Sequence, residues 1–311
     1  MTHVTYVFPG QGSQKVGMAK DLFDTVPASK AVIDEAKNII GEGPVNLMFD
    51  DPNGKLDKTE NAQPLIFIAS MASLIGYLAH NPLLRETLPL LVFGHSLGEL
   101  TALVVGGVLS FEDGLKIAKI RGEIMASAPP GKMVVVRNIP DDHLRNLLDS
   151  FPIDIGVINT NSQIVLSGEE KAMNEAITYM KSQEIKARLL PISIASHSRV
   201  MQAVQGQFAS ALDNFTFRKP HTPIISVYQA QELRDGAMIK EAFVEQMTHT
   251  LDFPQMLFAA KHLGADTFVE FGPKGSSNDG IITGNIQALD SSLTAIGIHD
   301  LSSIKDRSVP F

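Results

Sequence analysis

The sequence contains no cysteine among its 311 residues. This absence excludes disulfide bonds, thiolate metal sites and a cysteine nucleophile within the chain. It also fits a reducing compartment, where folded proteins do not depend on disulfides. Covalent catalysis by this chain would therefore need a nucleophile other than a thiol.

Signals for secretion, membrane insertion and nucleic-acid binding are missing as well. The first 14 residues lack a charged segment followed by a long apolar one, which a signal peptide requires. No apolar run reaches the ~18 residues that a membrane span needs. A net charge of −8 argues against general nucleic-acid binding. We therefore expect a cytoplasmic, monomeric protein without membrane or nucleic-acid partners.

Two motifs that often mark metal and phosphate chemistry are also absent. The sequence has no HExxH pair of metal-binding histidines and no GxxxxGK[ST] phosphate loop. Gly10 and Gly12 are not followed by a third glycine, because position 15 is Lys15. We expect neither a metal site nor a bound cofactor.

The sequence does contain a sharp turn from an apolar strand into a helix. Leu90–Phe93 is followed by Gly94-His95-Ser96-Leu97-Gly98 and then by a helix-compatible run. Glycine two residues before and two residues after a serine is the nucleophile-elbow pattern. The serine then adopts a strained conformation, and its neighbours must lack a Cβ so that strand and helix can pass. A serine that merely caps the helix is the alternative, but the flanking strand and helix favour a catalytic Ser96.

Strands and helices alternate along the chain, which predicts an α/β fold. From residue 128 to residue 192 the predicted order is βαββαβ, the ferredoxin-like unit. We therefore predict a large α/β domain formed by residues 1–127 and 193–311, with a ferredoxin-like insert at residues 128–192. The polar tail at residues 301–311 is expected to be poorly ordered.

A serine nucleophile needs a base, and the chain has nine histidines. His197 is the best candidate, because it follows an apolar strand-like run in a loop of small residues. His221 and His249 are weaker competitors. His95 is adjacent to Ser96, so its side chain points elsewhere on an elbow.

Two further side chains have both a structural and a functional interpretation. Gln11 follows the first predicted strand, at the end where open α/β sheets place their sites; the alternative is an inert side chain on a surface turn. Arg121 lies among apolar neighbours on the predicted helix Phe111–Ala126. It either binds an anion in a cleft or extends its guanidinium to solvent, and the residues alone favour solvent.

Seven features, taken together, match one family of enzymes. They are FPGQGSQ at Phe8–Gln14, GHSLGE at Gly94–Glu99, Arg121-Gly122, NTNSQIVLSG at Asn159–Gly168, HSRVM at His197–Met201, Gln246 and VEFGP at Val269–Pro273. In this order and spacing the chain resembles malonyl-CoA:acyl-carrier-protein transacylases over nearly its whole length. HSRVM and the later VYQAQ are closer to the discrete acyltransferases of trans-acyltransferase polyketide synthases. The resemblance implies an α/β-hydrolase-like large domain with a ferredoxin-like insert.

The resemblance also implies catalytic roles. Ser96 resembles the nucleophile that takes the acyl group from CoA. His197 resembles the base that activates this serine and later protonates the departing thiolate, and a backbone carbonyl near Gln246 orients the histidine in place of an acidic residue. Gln11 and the backbone N–H of Leu97 resemble the oxyanion hole.

Three residues are expected to bind the acyl group. Arg121 resembles the residue that pairs with the free carboxylate of malonyl, which reverses the solvent-exposed interpretation. Ser196 stands where many malonyl enzymes have phenylalanine, so the pocket could admit an α-branched unit. Leu97 stands where methylmalonyl-selective domains often have glutamine, which argues for malonyl itself. Gln246 is the third predicted substrate-binding residue.

The implied reaction is ping-pong transfer without a metal or cofactor. An acyl-CoA thioester is the donor substrate, and the phosphopantetheine thiol of an acyl carrier protein is the acceptor. Carrier proteins are acidic, so basic residues near the insert are candidates for docking, with an ordinary solvated face as the alternative; they are Lys181, Lys186, Arg188 and Arg199. The extender unit, the fatty-acid or polyketide pathway and the particular carrier protein stay open.

Other functions share part of this pattern. An acyl hydrolase acting on carrier proteins would use the same Ser96 and His197, but a hydrolase of simple acyl chains has no carboxylate for Arg121 to bind. A non-catalytic scaffold that docks carrier proteins would not need these residues. A generic esterase would be expected to carry an acidic residue after a strand between the serine and the histidine, and the sequence shows no clear candidate.

Overall fold

The computed structural model describes residues 3–84 and 87–309. Met1 and Thr2 of the predicted N-terminal segment, and Pro310 and Phe311 of the predicted tail, lie outside the described residues. Within them the chain forms two β-sheets with helices packed around them, so the predicted α/β class is confirmed.

The strands are, in chain order, β1 Val4–Phe8, β2 Leu91–Gly94, β3 Gly131–Arg137, β4 Ile153–Thr160, β5 Gln163–Glu169, β6 Ala187–Leu189, β7 Ile224–Ile225, β8 Glu232–Leu233, β9 Leu251–Asp252, β10 Thr267–Phe271 and β11 Thr294–Ile298. The helices are α1 Lys20–Thr25, α2 Pro27–Ile40, α3 Glu42–Asn46, α4 Thr59–His80, α5 Gly98–Val105, α6 Phe111–Ala126, α7 Asp141–Ser150, α8 Glu170–Ser182, α9 Gln202–Leu212, α10 Gly236–Glu245, α11 Phe253–His262, α12 Ile281–Leu289 and α13 Leu301–Asp306. Short 3-10 turns lie at Pro82–Leu84 and Arg199–Met201.

The larger sheet has the strand order β11-β10-β1-β2-β7-β8 and is parallel except for β8. Every residue of β1 and β2 is buried, as expected for central parallel strands covered on both faces. The register pairs Phe8 with Gly94, so β1 and β2 end side by side. The loop that carries Gln11 and the turn that carries Ser96 therefore emerge at the same edge of the sheet.

The smaller sheet has the order β6-β3-β5-β4-β9. Its elements from β3 to β6 follow the predicted βαββαβ order, while β9 joins from outside residues 128–192 and pairs in parallel with β4. The boundaries of the insert stay a prediction.

The two faces of β3 pack against different parts of the molecule. Val134 and Val136 lie in a cluster with residues of α7 and α8, whereas Met133 and Val135 lie in a cluster with Phe93 of the larger sheet. This division follows from the two-residue period of a strand. One face of the smaller sheet therefore shares a hydrophobic cluster with the larger sheet.

The expectation that no segment reaches the length and apolarity of a membrane span is wrong for α4. This helix is long and apolar enough by length and composition, yet 83% of its most apolar window is buried inside the protein. It packs mainly against α2 and α6. In this fold α4 is a core helix.

The expectation of a poorly ordered tail is wrong for residues 301–306, which form α13. Asp300 and Ser303 form a capping box at its start. Ile304 is buried, and the N–H of Val309 donates to the hydroxyl of Tyr77. The tail is mostly polar, so its composition predicts disorder. The structure nevertheless buries its few apolar side chains, Ile304 and Val309.

Candidate active site

The turn around Ser96 has the strained geometry that its sequence predicts. Ser96 has a φ of +54°, between the end of β2 and the start of α5. A Cβ on Gly94 would lie 1.9 Å from the backbone of Gly98, and a Cβ on Gly98 would lie 1.9 Å from the carbonyl oxygen of Phe8. Both glycines are therefore required by close backbone packing, and the half-buried Ser96 at the tip of the elbow lines the cavity beside it.

His197 contacts Ser96 directly. Its Nε2 lies 2.8 Å from the Ser96 Oγ, and its Nδ1 lies 2.7 Å from the carbonyl oxygen of Gln246. A carbonyl only accepts hydrogen bonds, so Nδ1 carries the proton and Nε2 is free to accept from the serine. Burial, and then the positive charge of Arg121, lower the pKa of His197 to about 3. The resting imidazole is neutral and can act as a base.

Gln11 lies in the loop after β1 and Leu97 directly follows Ser96, and each carries an N–H donor. The Oε1 of Gln11 accepts a hydrogen bond of 2.9 Å from Thr59, which directs its Nε2 the other way. That Nε2 is buried and has no hydrogen-bond partner among the described residues. Leu97 precedes the first residue of α5, where backbone N–H groups lack helical acceptors. Both are free donors of the kind that an oxyanion hole uses.

Arg121 is buried, with 1% of its surface exposed, so the interpretation based on its neighbours alone is wrong. Its Nη1 donates to the Oε1 of Gln63 at 2.7 Å, and its Nη2 lies 3.5 Å from the Oε1 of Gln246. Its Nε is buried without a partner among the described residues. Burial lowers its pKa to about 10, so the guanidinium remains charged at neutral pH. A buried cation with a spare donor is a site for an anion.

A chain of hydrogen bonds joins the Arg121 site to Gln11. Gln63 accepts from Arg121 and donates through Nε2 to Thr59 Oγ1 at 2.9 Å, and Thr59 donates in turn to Gln11. Each amide is thereby fixed in one orientation. Neither Gln63 nor Thr59 was singled out from the sequence, because Gln63 lies within a long apolar helix pattern and Thr59 lies in a polar stretch that was interpreted as irregular.

One cavity of about 730 Å³ brings most of the predicted residues together. Its lining includes Gln11, Ser96, Arg121, Ser196 and His197. Gln246 is not part of this lining. Its side chain is buried behind the histidine, where it contacts Glu99 and Arg121.

The smaller sheet forms the opposite side of the same cavity. Arg137 and Arg188 line it, and both also line a second cavity of about 820 Å³ on the outer edge of that sheet, together with Lys186. Of the predicted docking residues, Arg199 is bound to Asp154, with its Nη2 at 2.6 Å from the carboxylate. Lys181 lies in the last turn of α8.

The described residues contain no group of three or more histidine, aspartate or glutamate side chains arranged to hold a metal ion.

A serine in hydrogen-bond contact with a neutral histidine on an α/β fold is the arrangement typical of serine acyl-transfer enzymes. Residues 5–296 match the family model described as the acyl transferase domain. The chain belongs to this family and is an acyltransferase.

Named relatives agree with this assignment. The chain is 32% identical over 315 residues to a malonyl CoA-acyl carrier protein transacylase of Staphylococcus aureus (strain COL), covering 98% of each chain. An acyl-carrier-protein S-malonyltransferase of Burkholderia pseudomallei 1710b superposes with a TM-score of 0.88 at 26% identity, over 98% of this chain and 99% of that one. A malonyl-transacylase solved with a holo type II PKS acyl-carrier protein gives a TM-score of 0.86 at 26% identity, over 97% of each chain. The resemblance to the transacylase family is confirmed.

Proposed function

We propose that this acyltransferase moves a malonyl-type unit from CoA to the phosphopantetheine thiol of an acyl carrier protein. The observation that carries the proposal is the meeting of an activated serine and a buried, charged Arg121 in one cavity. A thioester that also bears a free carboxylate is the substrate that uses both groups.

In the first half-reaction the Oγ of Ser96 attacks the thioester carbonyl carbon, and its proton passes to Nε2 of His197. The Nδ1–H of the resulting imidazolium donates to the Gln246 carbonyl, which stabilises the charge. Gln11 Nε2 and the Leu97 N–H donate to the oxyanion, and one such donor contributes about 2.7–4 kcal/mol. Collapse of the intermediate breaks the C–S bond, and His197 returns the proton to the CoA thiolate.

The second half-reaction reverses these steps with another thiol. The phosphopantetheine thiol gives its proton to Nε2 of His197 and attacks the ester carbonyl of malonyl-Ser96. The C–O bond to Ser96 then breaks, and the proton returns to the serine oxygen. Both half-reactions use the same base and the same donors, and the proposed mechanism assigns no step to a cofactor.

Arg121 selects for the dicarboxylic acyl group. A planar guanidinium pairs with a carboxylate through two parallel hydrogen bonds, which a lysine would not reproduce. The same feature favours transfer over the hydrolysis of simple acyl chains. Ser196 leaves room beside the acyl group, so an α-branched malonyl unit is the second substrate considered.

The cellular setting follows from the same substrates. We propose a cytoplasmic monomer that meets acyl-CoA and acyl carrier protein, without membrane or nucleic-acid contacts. The role in a trans-acyltransferase polyketide pathway stays a prediction.

Intact-mass analysis tests the proposal most directly. The protein is mixed in turn with malonyl-, methylmalonyl-, ethylmalonyl- and acetyl-CoA, and a holo acyl carrier protein is then added. We expect a malonyl adduct on the enzyme that moves to the carrier protein. An adduct released only to water would establish a hydrolase, and no adduct with any donor would refute covalent transfer.

A further inference from the structure

Glu99 is a buried carboxyl group that the mechanism above does not use. It lies in the first turn of α5, three residues after Ser96, with 1% of its surface exposed. A buried carboxyl that is only packed would cost stability without a benefit.

The Glu99 carboxyl is linked to both Arg121 and His197 through a single residue, Gln246. Its Oε2 accepts a hydrogen bond from Nε2 of Gln246, and its Oε1 lies 3.4 Å from the N–H of Val227. The other end of the same amide, Oε1 of Gln246, faces Nη2 of Arg121. The backbone carbonyl of Gln246 accepts from His197. Gln246 thus touches the acid, the cation and the base at once.

The electrostatics around Glu99 are dominated by one neighbour. The helix α5 packs against β1, β2, α4 and α6, and among the described residues Arg121 on α6 is the charged group that acts on this carboxyl. Burial lowers the pKa of the imidazoles of His95 and His197, so both are neutral above pH 7. Burial raises the pKa of Glu99 to about 8, against the opposing effects of the Val227 N–H, the Arg121 charge and the Gln246 amide.

We propose that Glu99 is a positioning residue that acts through Gln246, fixing Arg121 for the malonyl carboxylate and the Gln246 carbonyl for His197. This inference rests on the proposed function. The inference implies that an ionised Glu99 competes with the malonyl carboxylate, because the two anions share the single guanidinium of Arg121.

The ionisation state of Glu99 sets the direction in which pH changes malonyl binding. Below its pKa Glu99 is neutral, and Arg121 has its full charge for the substrate. Above its pKa Glu99 is an internal carboxylate that partly neutralises Arg121. Recognition of malonyl therefore weakens as the pH rises through about 8, whereas transfer of an acetyl group, which has no carboxylate, does not.

The test compares kcat/KM for acyl-enzyme formation from malonyl-CoA and acetyl-CoA between pH 6.5 and 9. For the wild type we expect the malonyl-to-acetyl ratio to fall about 3- to 10-fold above pH 8. Glu99→Gln keeps the shape of the side chain but cannot ionise, so its ratio should stay flat. Glu123→Gln removes an exposed carboxylate from α6 and should keep the wild-type profile.

Gln246→Met provides the second variant, because it removes the amide link and keeps the backbone carbonyl. Loss of the Gln246 donor should move the inflection of the ratio to higher pH. Circular dichroism shows whether Glu99→Gln folds. If it does not, the pH profile of Gln246→Met tests the inference in its place. If Glu99 acts through Gln246, the effects of the two changes on kcat should also be less than additive in the double variant.

Failure of the inference is distinct from failure of the proposed function. If intact mass shows no malonyl adduct on the wild type, the proposed function is wrong. A wild type that forms it, with a Glu99→Gln variant that retains the wild-type pH profile, overturns only the role of Glu99. An unmoved inflection in Gln246→Met, or fully additive effects, would overturn it as well.

Discussion

The active-site cavity has two walls that differ in how firmly their side chains are held. One wall, called the catalytic wall after the roles proposed above, is formed by Ser96, Arg121 and His197. Arg121 and His197 are almost fully buried, and all three are hydrogen-bonded to neighbours. The other wall, called the insert wall after the predicted insert, is formed by the smaller sheet, and its rim carries the exposed side chains of Arg137 and Arg188.

Under the proposed function, we expect this difference to separate the chemistry from the recognition of large partners. Groups that act on the reacting atoms need fixed positions, and burial with full hydrogen bonding provides them. A rim that meets a CoA or a carrier protein needs accessible charge, and each exposed contact contributes only about 0–1 kcal/mol. Changes on the catalytic wall should therefore have much larger effects than changes on the insert wall.

The largest effect is expected at the nucleophile. Ser96→Ala removes the atom that carries the acyl group, and loss of a catalytic serine in a comparable enzyme reduces turnover by roughly 10⁶-fold. We expect no malonyl adduct by intact mass after incubation with malonyl-CoA. Ser182→Ala, on the exposed end of α8, serves as the matched control and should acylate normally. A covalent adduct that persists in Ser96→Ala would show that another residue is the nucleophile.

The next effect is expected at the buried cation. Arg121→Ala removes the partner of the malonyl carboxylate, and two charge-assisted hydrogen bonds of about 1.5–3 kcal/mol each correspond to a loss of 10²-fold or more in kcat/KM. Transfer or hydrolysis of acetyl groups should rise, because no unpaired guanidinium faces the apolar methyl group. Steady-state loading assays with both donors measure this change.

Lys119→Ala removes an exposed cation from the same helix, so it separates the site effect from a loss of charge on α6. Equal malonyl turnover in Arg121→Ala and the wild type would contradict the assignment of Arg121.

The catalytic wall was the more predictable of the two from sequence. The elbow follows from local rules, because a serine flanked by glycines between a strand and a helix has few alternatives. The bounds predicted for the helix Phe111–Ala126, which is α6, match the structure because an apolar period and a capping serine define them. The nearby His197 was selected from nine histidines by the small residues around it.

The burial of Arg121 could not be predicted from its neighbours. Apolar residues around an arginine are typical both of a solvent-reaching side chain and of a buried cation. What decides between them is the pair of glutamines that reach it from α4 and from the end of α10, and both are distant in sequence. The pairing of β9 with β4 could not be predicted either, because it joins only two residue pairs, Val157 with Leu251 and Ile158 with Asp252, which are far apart in sequence. Long-range polar contacts leave no local period to detect.

Ser196 lies between the two walls and should show an intermediate effect. Ser196→Phe places a ring in the acyl pocket, and discrimination over one methyl group is worth about 1–3 kcal/mol, or 10- to 200-fold. We expect the ratio of malonyl to methylmalonyl loading to rise within that range. Competition between the two CoA thioesters, followed by intact mass, measures the ratio. Ser193→Phe makes the same change at an exposed position outside the cavity lining, and a similar shift there would contradict the role of Ser196.

The smallest effect is expected on the insert wall, at Arg188. This side chain lines both the active-site cavity and the outer cavity, so a carrier protein that delivers its phosphopantetheine arm would pass beside it. Arg188→Glu should raise the KM for an acidic carrier protein about 3- to 10-fold at low salt, and the difference should shrink at high salt because exposed charges are screened. Acylation of Ser96 by a simple thioester without phosphate should be unchanged, since no catalytic contact is lost.

Arg145→Glu makes the same charge reversal on α7, outside both cavity linings, and it tests whether position matters in addition to charge. An equal rise in KM for both variants would indicate general repulsion by a chain of net charge −8. A fall in kcat with an unchanged KM in Arg188→Glu would contradict the distinction between the two walls. It would mean that the insert wall holds the reacting groups as firmly as the catalytic wall does. A rise in KM confined to Arg188→Glu would instead define the insert wall as the side from which the carrier protein enters.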